Sequence, residues 1–181
     1  MKRFLILTLF LHCCMNSSTA QERKPIFIGL QPGITSEKFY EKDEFDINVI
    51  PIVLEMPLSE RVDLRFTTIG NYHFGGKKNG FSDLGFQVLA PFFLKKKETI
   101  NEKSQGFYIT PVGGYGRNLI YKHDTYVLAA EAGYLFPTKK SFTLSLGIQF
   151  GGSCFDYDDD PDLWRQHFGF KLNLGFWTRT K

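Results

Sequence analysis

A two-residue alternation of apolar and polar side chains runs through most of this chain and restricts it to β-structure. Successive side chains of a strand point to opposite faces, so an alternating segment has one apolar face and one polar face. The same period recurs in residues 61–74, 126–136 and 166–177. The clearest case is residues 141–150, whose apolar positions are Phe142, Leu144, Leu146, Ile148 and Phe150. The sequence therefore predicts an all-β chain.

Eight strands fit between clusters of Gly, Asn, Pro and Lys. The fifth strand is the weakest, because Pro111 and the Gly-Gly-Tyr-Gly run at 113–116 disturb pairing, and a bulge or bend is expected there. Connections 57–60 and 137–140 are tight, whereas 35–44 and 152–165 are long, an asymmetry typical of membrane barrels; the long connection 95–104 departs from it. The predicted strands are 26–34, 45–56, 61–74, 81–95, 105–118, 124–136, 141–151 and 166–177.

The N-terminal segment has the pattern of a cleaved secretory signal. Lys2 and Arg3 precede an apolar run over residues 4–15, and small residues lead up to Ala20. A helix of that length rises about 18 Å, which is too short for roughly 30 Å of hydrocarbon. We expect residues 1–20 to be a signal peptide that is removed, and residues 21–181 to form one exported domain.

Cysteine usage excludes a disulfide-stapled scaffold, because the chain has only 3 cysteines. A lipid-modified Cys13 or Cys14 is an alternative to signal cleavage after Ala20, but His12 does not suit the small position that precedes a modified cysteine. After cleavage Cys154 alone remains and cannot form an internal disulfide.

Alternation alone does not distinguish a soluble barrel with an apolar interior from a membrane barrel with an apolar exterior. Lysines concentrate in connections such as 77–78, 95–97 and 139–140, whereas the polar faces are rich in Gly, Ser, Thr, Asn and Gln. A soluble sheet would carry Lys and Glu along its polar face, and aromatic residues lie near predicted strand ends, as membrane-interface girdles require. We therefore expect an eight-stranded antiparallel up-and-down transmembrane β-barrel.

The charged residues within the predicted strands are few and nearly balanced in sign. The interior of an eight-stranded barrel is just wide enough to be filled by side chains, so charges inside it must pair. Separate solvated surface charges are the alternative. The predicted lumen charge network comprises Glu55, Arg61, Asp63, Arg65, Asp83, Glu131 and Lys171.

The export signal, strand number, alternation and loop asymmetry together resemble the small eight-stranded outer-membrane barrels of Gram-negative bacteria, the OmpX-like and OmpA-like class. Last strands of that class carry an assembly signal: a polar residue, a glycine two later, and hydrophobic residues three and five further on. His167, Gly169, Leu172 and Leu174 match it, although the chain continues past Trp177 rather than ending on an aromatic residue. The resemblance implies insertion into the outer membrane by the barrel-assembly machinery.

Some barrels similar to this one are enzymes that act on lipid A. Deacylases of that kind pair a serine with a histidine two residues away on one strand, and no serine has that spacing from His73, His123 or His167. Ser82 and Asp83 with the distant His73 could suggest acyl transfer, but adjacent residues point to opposite faces of a strand. No catalytic residue is predicted.

The acidic segment 156–162 could attract calcium, but it lacks the glycine and terminal glutamate of an EF-hand. A solvated loop is the preferred interpretation, and no metal or cofactor is predicted. The formal charge of +3, or +1 without Lys2 and Arg3, does not fit a nucleic-acid binder.

The function expected is an outer-membrane barrel with a plugged lumen and a non-enzymatic structural or surface-interaction role through its outward loops. The alternatives are a lipid A-modifying enzyme in the same barrel, or a soluble secreted barrel that carries an apolar ligand.

Overall fold

The computed structural model describes residues 24–35, 43–75, 79–136, 141–157 and 162–178. These residues form β-strands and no helix, and within these ranges no helix is long and apolar enough to cross a membrane. The predicted signal peptide, residues 21–23 and residues 36–42, 76–78, 137–140, 158–161 and 179–181 lie outside the described residues. The strands are β1 (Phe27–Leu30), β2 (Ile34–Thr35), β3 (Phe45–Asn48), β4 (Ile52–Pro57), β5 (Asp63–Phe74), β6 (Gly80–Leu89), β7 (Phe92–Phe93), β8 (Gly106–Asn118), β9 (His123–Leu135), β10 (Phe142–Tyr157) and β11 (Leu163–Trp177).

The eleven strands close into an eight-stranded antiparallel barrel. Three of its eight strands are interrupted and consist of two pieces each: β1 with β2, β3 with β4, and β6 with β7. We call each of the eight barrel strands, interrupted or not, a stave. The barrel closes where β1 pairs with both β4 and β11, with Phe27 opposite Trp177. The prediction of an all-β, eight-stranded antiparallel barrel is confirmed. We call the end that holds Phe27 and Trp177 the lower end, and the opposite end the upper end.

The predicted bulge or bend in the fifth stave is absent, but the strand pairing is interrupted at Pro111 on one side of that stave. The ladder between β8 and β9 keeps one register from Gly106 opposite Leu135 to Asn118 opposite His123. The interruption falls instead between β6 and β7, where Pro91 faces the part of β8 that contains Pro111. Proline has no backbone N–H to donate, so two prolines on adjacent staves leave a gap in the ladder between them.

The hairpin of β10 and β11 extends further than predicted. β10 continues to Tyr157 and β11 begins at Leu163, so most of the predicted loop 152–165 is paired strand. Continued ladder pairing on both sides of β10, with β9 and with β11, explains this extension.

The side chains separate by polarity in the direction opposite to that of a soluble protein. Inward positions hold buried polar and charged residues, and outward positions of the same strands hold large apolar residues. In β10, for example, Ser145 and Gln149 are fully buried, whereas the intervening Ile148 and the following Phe150 are 51% and 63% exposed. This arrangement places the chemically reactive groups inside the barrel.

Candidate functional site

Four side chains meet inside the barrel towards its lower end, and we call them the central cluster: Glu55, Arg65, Tyr108 and Glu131. They come from β4, β5, β8 and β9, and all four are almost completely buried. Each occupies an inward position whose neighbours along the strand are outward apolar residues, so strand alternation brings the four together. The cluster therefore joins staves that are far apart in the sequence.

Arg65 is the hub of the central cluster. Its Nε donates to Oε2 of Glu55 at 2.6 Å, and its NH1 donates to Oε1 of Glu131 at 3.3 Å. The guanidinium carbon lies 5.0 Å from the ring centroid of Tyr108, whose hydroxyl donates to Oε1 of Glu131 at 2.7 Å. One buried cation thus faces two buried carboxylates, and hydrogen bonds and a cation–π contact stabilise the charges in place of water.

Two glycines provide the volume that the central cluster occupies. A Cβ on Gly133 would collide with the ring end of Tyr108, and a Cβ on Gly147 would lie 2.7 Å from Oε1 of Glu131. Gly133 and Gly147 face each other in the ladder between β9 and β10. The central cluster therefore needs both large polar side chains and bare backbone beside them.

The lower end is filled by a second ion pair and by apolar packing. Nζ of Lys97 donates to Oδ1 of Asp63 and to Oγ of Ser104, both at 2.9 Å, and all three side chains are buried. The connection between β7 and β8 thus folds back into the lower opening, and sequence analysis missed the role of Lys97 because it lies in a lysine-rich connection. Two buried clusters pack nearby, Phe27 with Val53 and Trp177, and Phe93 with Tyr108 and Leu135.

The predicted network residues divide among several places in the barrel. Asp83 lies at the upper end, where it accepts from Nδ2 of Asn118 at 2.9 Å, and Lys171 lies inward on β11 beside Gly169. Arg61 does not join them: it is exposed at the lower rim, and its NH1 donates to the carbonyl of Leu94 at 2.9 Å. Of the remaining four residues, Arg65 contacts both Glu55 and Glu131, and Asp63 pairs with Lys97.

The residues of the predicted assembly signal also occupy both faces of β11. His167 and Gly169 lie on the inward face, whereas Leu172 and Leu174 lie half-buried on the outward face. The motif therefore alternates as the strand requires, and His167 is left available for contacts inside the barrel.

A buried polar group at the upper end contains Asp46, His73 and Ser82. Oδ1 of Asp46 lies 2.7 Å from Nδ1 of His73, and Oδ2 of Asp46 accepts from Oγ of Ser82 at 2.7 Å. A bulge where β5 pairs with β6 shifts the register between Asn71 and Tyr72 and leaves Ser82 buried. Sequence analysis assumed a regular strand at Ser82 and Asp83 and missed this bulge. Because the carboxylate of Asp46 lies between serine and histidine, Ser82 does not contact the imidazole of His73.

A second serine lies beside a histidine across the hairpin of β10 and β11. Oγ of Ser153 is 3.4 Å from Nδ1 of His167, and Nε2 of His167 is 3.1 Å from Oε1 of Gln149. Nε2 of Gln149 in turn donates to Oε2 of Glu131 at 2.6 Å, which links this pair to the central cluster. A spacing of two residues along one strand does not reveal this pair, because Ser153 and His167 lie on different strands.

In the described part of the chain, no group of three His, Cys, Asp or Glu side chains is placed to hold a metal ion. Neither a protein-family model, nor a curated protein, nor a solved structure matches this chain. The fold and the interior define a closed eight-stranded antiparallel barrel with a polar lumen.

Proposed function

We propose that this chain is an integral membrane β-barrel of the outer-membrane type, that side chains close its lumen, and that its biological role is carried out at its upper, outward end. The observation that carries the proposal is the inverted distribution of polarity. Phe168, Phe170 and Leu128 are 72%, 66% and 73% exposed, whereas Glu55 and Arg65 are each 1% exposed. An apolar surface of this extent has no counterpart on a soluble monomer, and lipid is the solvent that suits it.

The height of the apolar surface supports a membrane location. Along β10 the outward positions from Phe142 to Gly152 carry no charge, and the next outward charge is Asp156. That stretch covers about 33 Å of extended strand. With the tilt of about 40° usual for such barrels, it corresponds to a band about 25 Å tall, the height of the apolar belt of outer-membrane barrels.

Aromatic residues cluster at both ends of this band. At the lower end Phe107 packs on Tyr134, with ring centroids 4.6 Å apart, and Phe142 packs on Phe176 at 5.3 Å. At the upper end Phe45 stacks on Phe74 with ring centroids 5.6 Å apart. Amphipathic and aromatic rings concentrate where a barrel crosses the two membrane–water interfaces, so this distribution favours insertion.

The interior favours a closed lumen over a pore or a ligand-carrying cavity. A soluble carrier of an apolar ligand needs an apolar cavity, whereas the interior of this barrel holds Arg65 between Glu55 and Glu131. Lys97 and its connection occupy the lower end. With the lumen filled, the upper rim is the part left to meet a partner or substrate, including residues 119–122 and the projecting ends of β10 and β11.

Fractionation of producing cells tests this proposal directly. We expect the protein in the outer-membrane fraction, with a gel mobility in mild detergent that changes on boiling. Ile148→Arg, near the middle of the apolar band, should destabilise the inserted barrel by about 2 to 4 kcal/mol, whereas the control Gln166→Arg, exposed opposite Gly152 at the upper limit of the band, should cost about 0 to 1 kcal/mol. Recovery of the protein in soluble form without detergent would overturn the proposal.

A further inference from the structure

The side chain of Ser153 lies in the upper half of the lumen, beside a histidine of the neighbouring strand. Ser153 is 5% exposed and directly opposite Arg165 in the ladder of β10 and β11, and His167 is the next inward residue along β11. Diagonal neighbours of this kind are within reach of a long side chain, and Oγ of Ser153 is 3.4 Å from Nδ1 of His167. A serine hydroxyl beside an imidazole is the core of a nucleophile–base pair, and the separation is slightly longer than the roughly 2.6 to 3.2 Å of an aligned pair, as is common before substrate binds.

The hydrogen bonds below this pair determine which imidazole nitrogen carries the proton. The amide nitrogen of Gln149 donates to Oε2 of Glu131 at 2.6 Å, which turns the amide oxygen of Gln149 away from the carboxylate. The amide oxygen of Gln149 then faces Nε2 of His167 at 3.1 Å and requires a proton on that nitrogen. Nδ1 of His167 therefore presents its lone pair to the Ser153 hydroxyl, which is the tautomer that a general base needs.

We propose that Ser153 and His167 form an acyl-transfer site for carboxylic esters in the upper lumen, with Gln149 as a positioning residue. Nδ1 of His167 accepts the hydroxyl proton while Oγ of Ser153 bonds to the ester carbonyl carbon. The carbon–oxygen bond to the alcohol then breaks, and the departing alkoxide takes the proton from His167. Water repeats the sequence on the acyl-enzyme, releases the carboxylic acid and restores the Ser153 hydroxyl.

The surroundings of Ser153 indicate which esters fit best. Arg165 makes no ion pair with any described residue and lies on the same inward face, so its positive charge is available to the tetrahedral oxyanion or to an anionic group of the ester. Above Ser153, His123 packs against the rings of Phe155 and Tyr157, with centroids 5.3 and 4.8 Å apart. These residues would place an aromatic wall beside the acyl group, which favours a short acyl chain.

Covalent labelling tests this inference, and the outcome does not depend on whether the barrel crosses a membrane. Full-length folded protein in mild detergent is treated with a small fluorophosphonate, and the labelled residue is located by peptide mass spectrometry. We expect label on Ser153, none in Ser153→Ala, and unchanged labelling in the control Ser145→Ala, whose inward serine contacts Tyr108 rather than a histidine. His167→Ala should slow labelling about 100-fold or more. An unlabelled wild-type barrel that retains its heat-dependent gel shift would overturn the inference, as would label on another residue.

The positioning role of Gln149 is tested by steady-state hydrolysis of p-nitrophenyl butyrate. Gln149→Leu removes the acceptor at Nε2 of His167, so kcat should fall about tenfold or more with KM unchanged. A purely structural role would instead change the heat-dependent gel shift and leave kcat of the folded fraction as in the wild type. That result would remove Gln149 from the proposed site.

Discussion

The bare backbone at Gly147 makes room for the carboxylate of Glu131: a Cβ on Gly147 would lie 2.7 Å from Oε1 of Glu131. That carboxylate cannot simply move aside, because Arg65, Tyr108 and Gln149 all hydrogen bond to it. The missing side chain on one strand is thus a condition for the buried charge on the next. The same relationship, repeated at Gly133 and Tyr108, makes glycine part of the interior network.

Gly147→Ala is expected to destabilise the barrel by about 1 to 3 kcal/mol, because the added methyl group displaces Glu131 from its partners. The control is Gly113→Ala, where no atom lies within 4 Å of the added Cβ, and its effect should stay within about 0.5 kcal/mol. The free energy of unfolding is measured by urea titration in detergent micelles. Equal effects of the two substitutions would contradict the account of Gly147.

Arg65→Met should be strongly destabilising, by about 3 to 5 kcal/mol, because it leaves Glu55 and Glu131 buried without their cation. Lys96→Met is the matched control, since Lys96 pairs with Glu60 at 2.6 Å but both side chains are about half exposed, and exposed pairs contribute about 0 to 1 kcal/mol. The same urea titration separates the two predictions. If Arg65→Met costs no more than Lys96→Met, the central cluster does not stabilise the barrel.

Lys97→Met should release the connection between β7 and β8 from the lower end, because Asp63 and Ser104 lose their shared donor. Digestion with a glutamate-specific protease reports this opening at Glu98 and Glu102 without altering the cleavage sites. We expect cleavage at least about tenfold faster than in the wild type, equivalent to at least about 1.4 kcal/mol of local stability. Lys95→Met, at an exposed position of the same connection, serves as the control and should cleave at the wild-type rate.

Electrical recording in planar lipid bilayers tests whether the interior is closed. Because Arg65, Tyr108 and Glu131 fill the lower half of the barrel interior and Lys97 fills the lower opening, we expect no stable conductance steps in concentrated KCl. A protein that inserts, shown by its protection from added protease, and that also conducts steadily would contradict the closed lumen.

Much of the fold could be predicted because strand alternation is a local property of the sequence. The eight predicted segments correspond to the eight staves, and the outward apolar positions of β10 are the ones that its alternation indicates. Local patterns did not indicate how far the hairpin of β10 and β11 continues, since Tyr157 is strand only because it pairs with His123. They indicated disturbed pairing at Pro111, but not that Pro91 on the adjacent stave lies in the same gap.

The contacts in the candidate sites depend on which strands are neighbours and on which connections fold inward, and the linear sequence shows neither. Arg65 could be predicted to need carboxylate partners, but its choice of Glu55 and Glu131 follows from the order of the staves around the barrel. Strand position predicts that Arg61 is buried and Lys97 is exposed, but the structure shows the reverse. Lys97 is buried because its connection folds inward, whereas Arg61 is exposed.

The sequence by itself determined the strands, their number and the two chemically different faces, because a period of two residues fixes on which side of the backbone each side chain stands. Only the tertiary structure decided which inward groups meet. Ser153 and His167 are 14 positions apart in the chain and come within 3.4 Å through the register of one hairpin, and Gln149 connects them to Glu131 on a third strand. Register and barrel closure are set by pairing across the whole sheet, so no local segment specifies them.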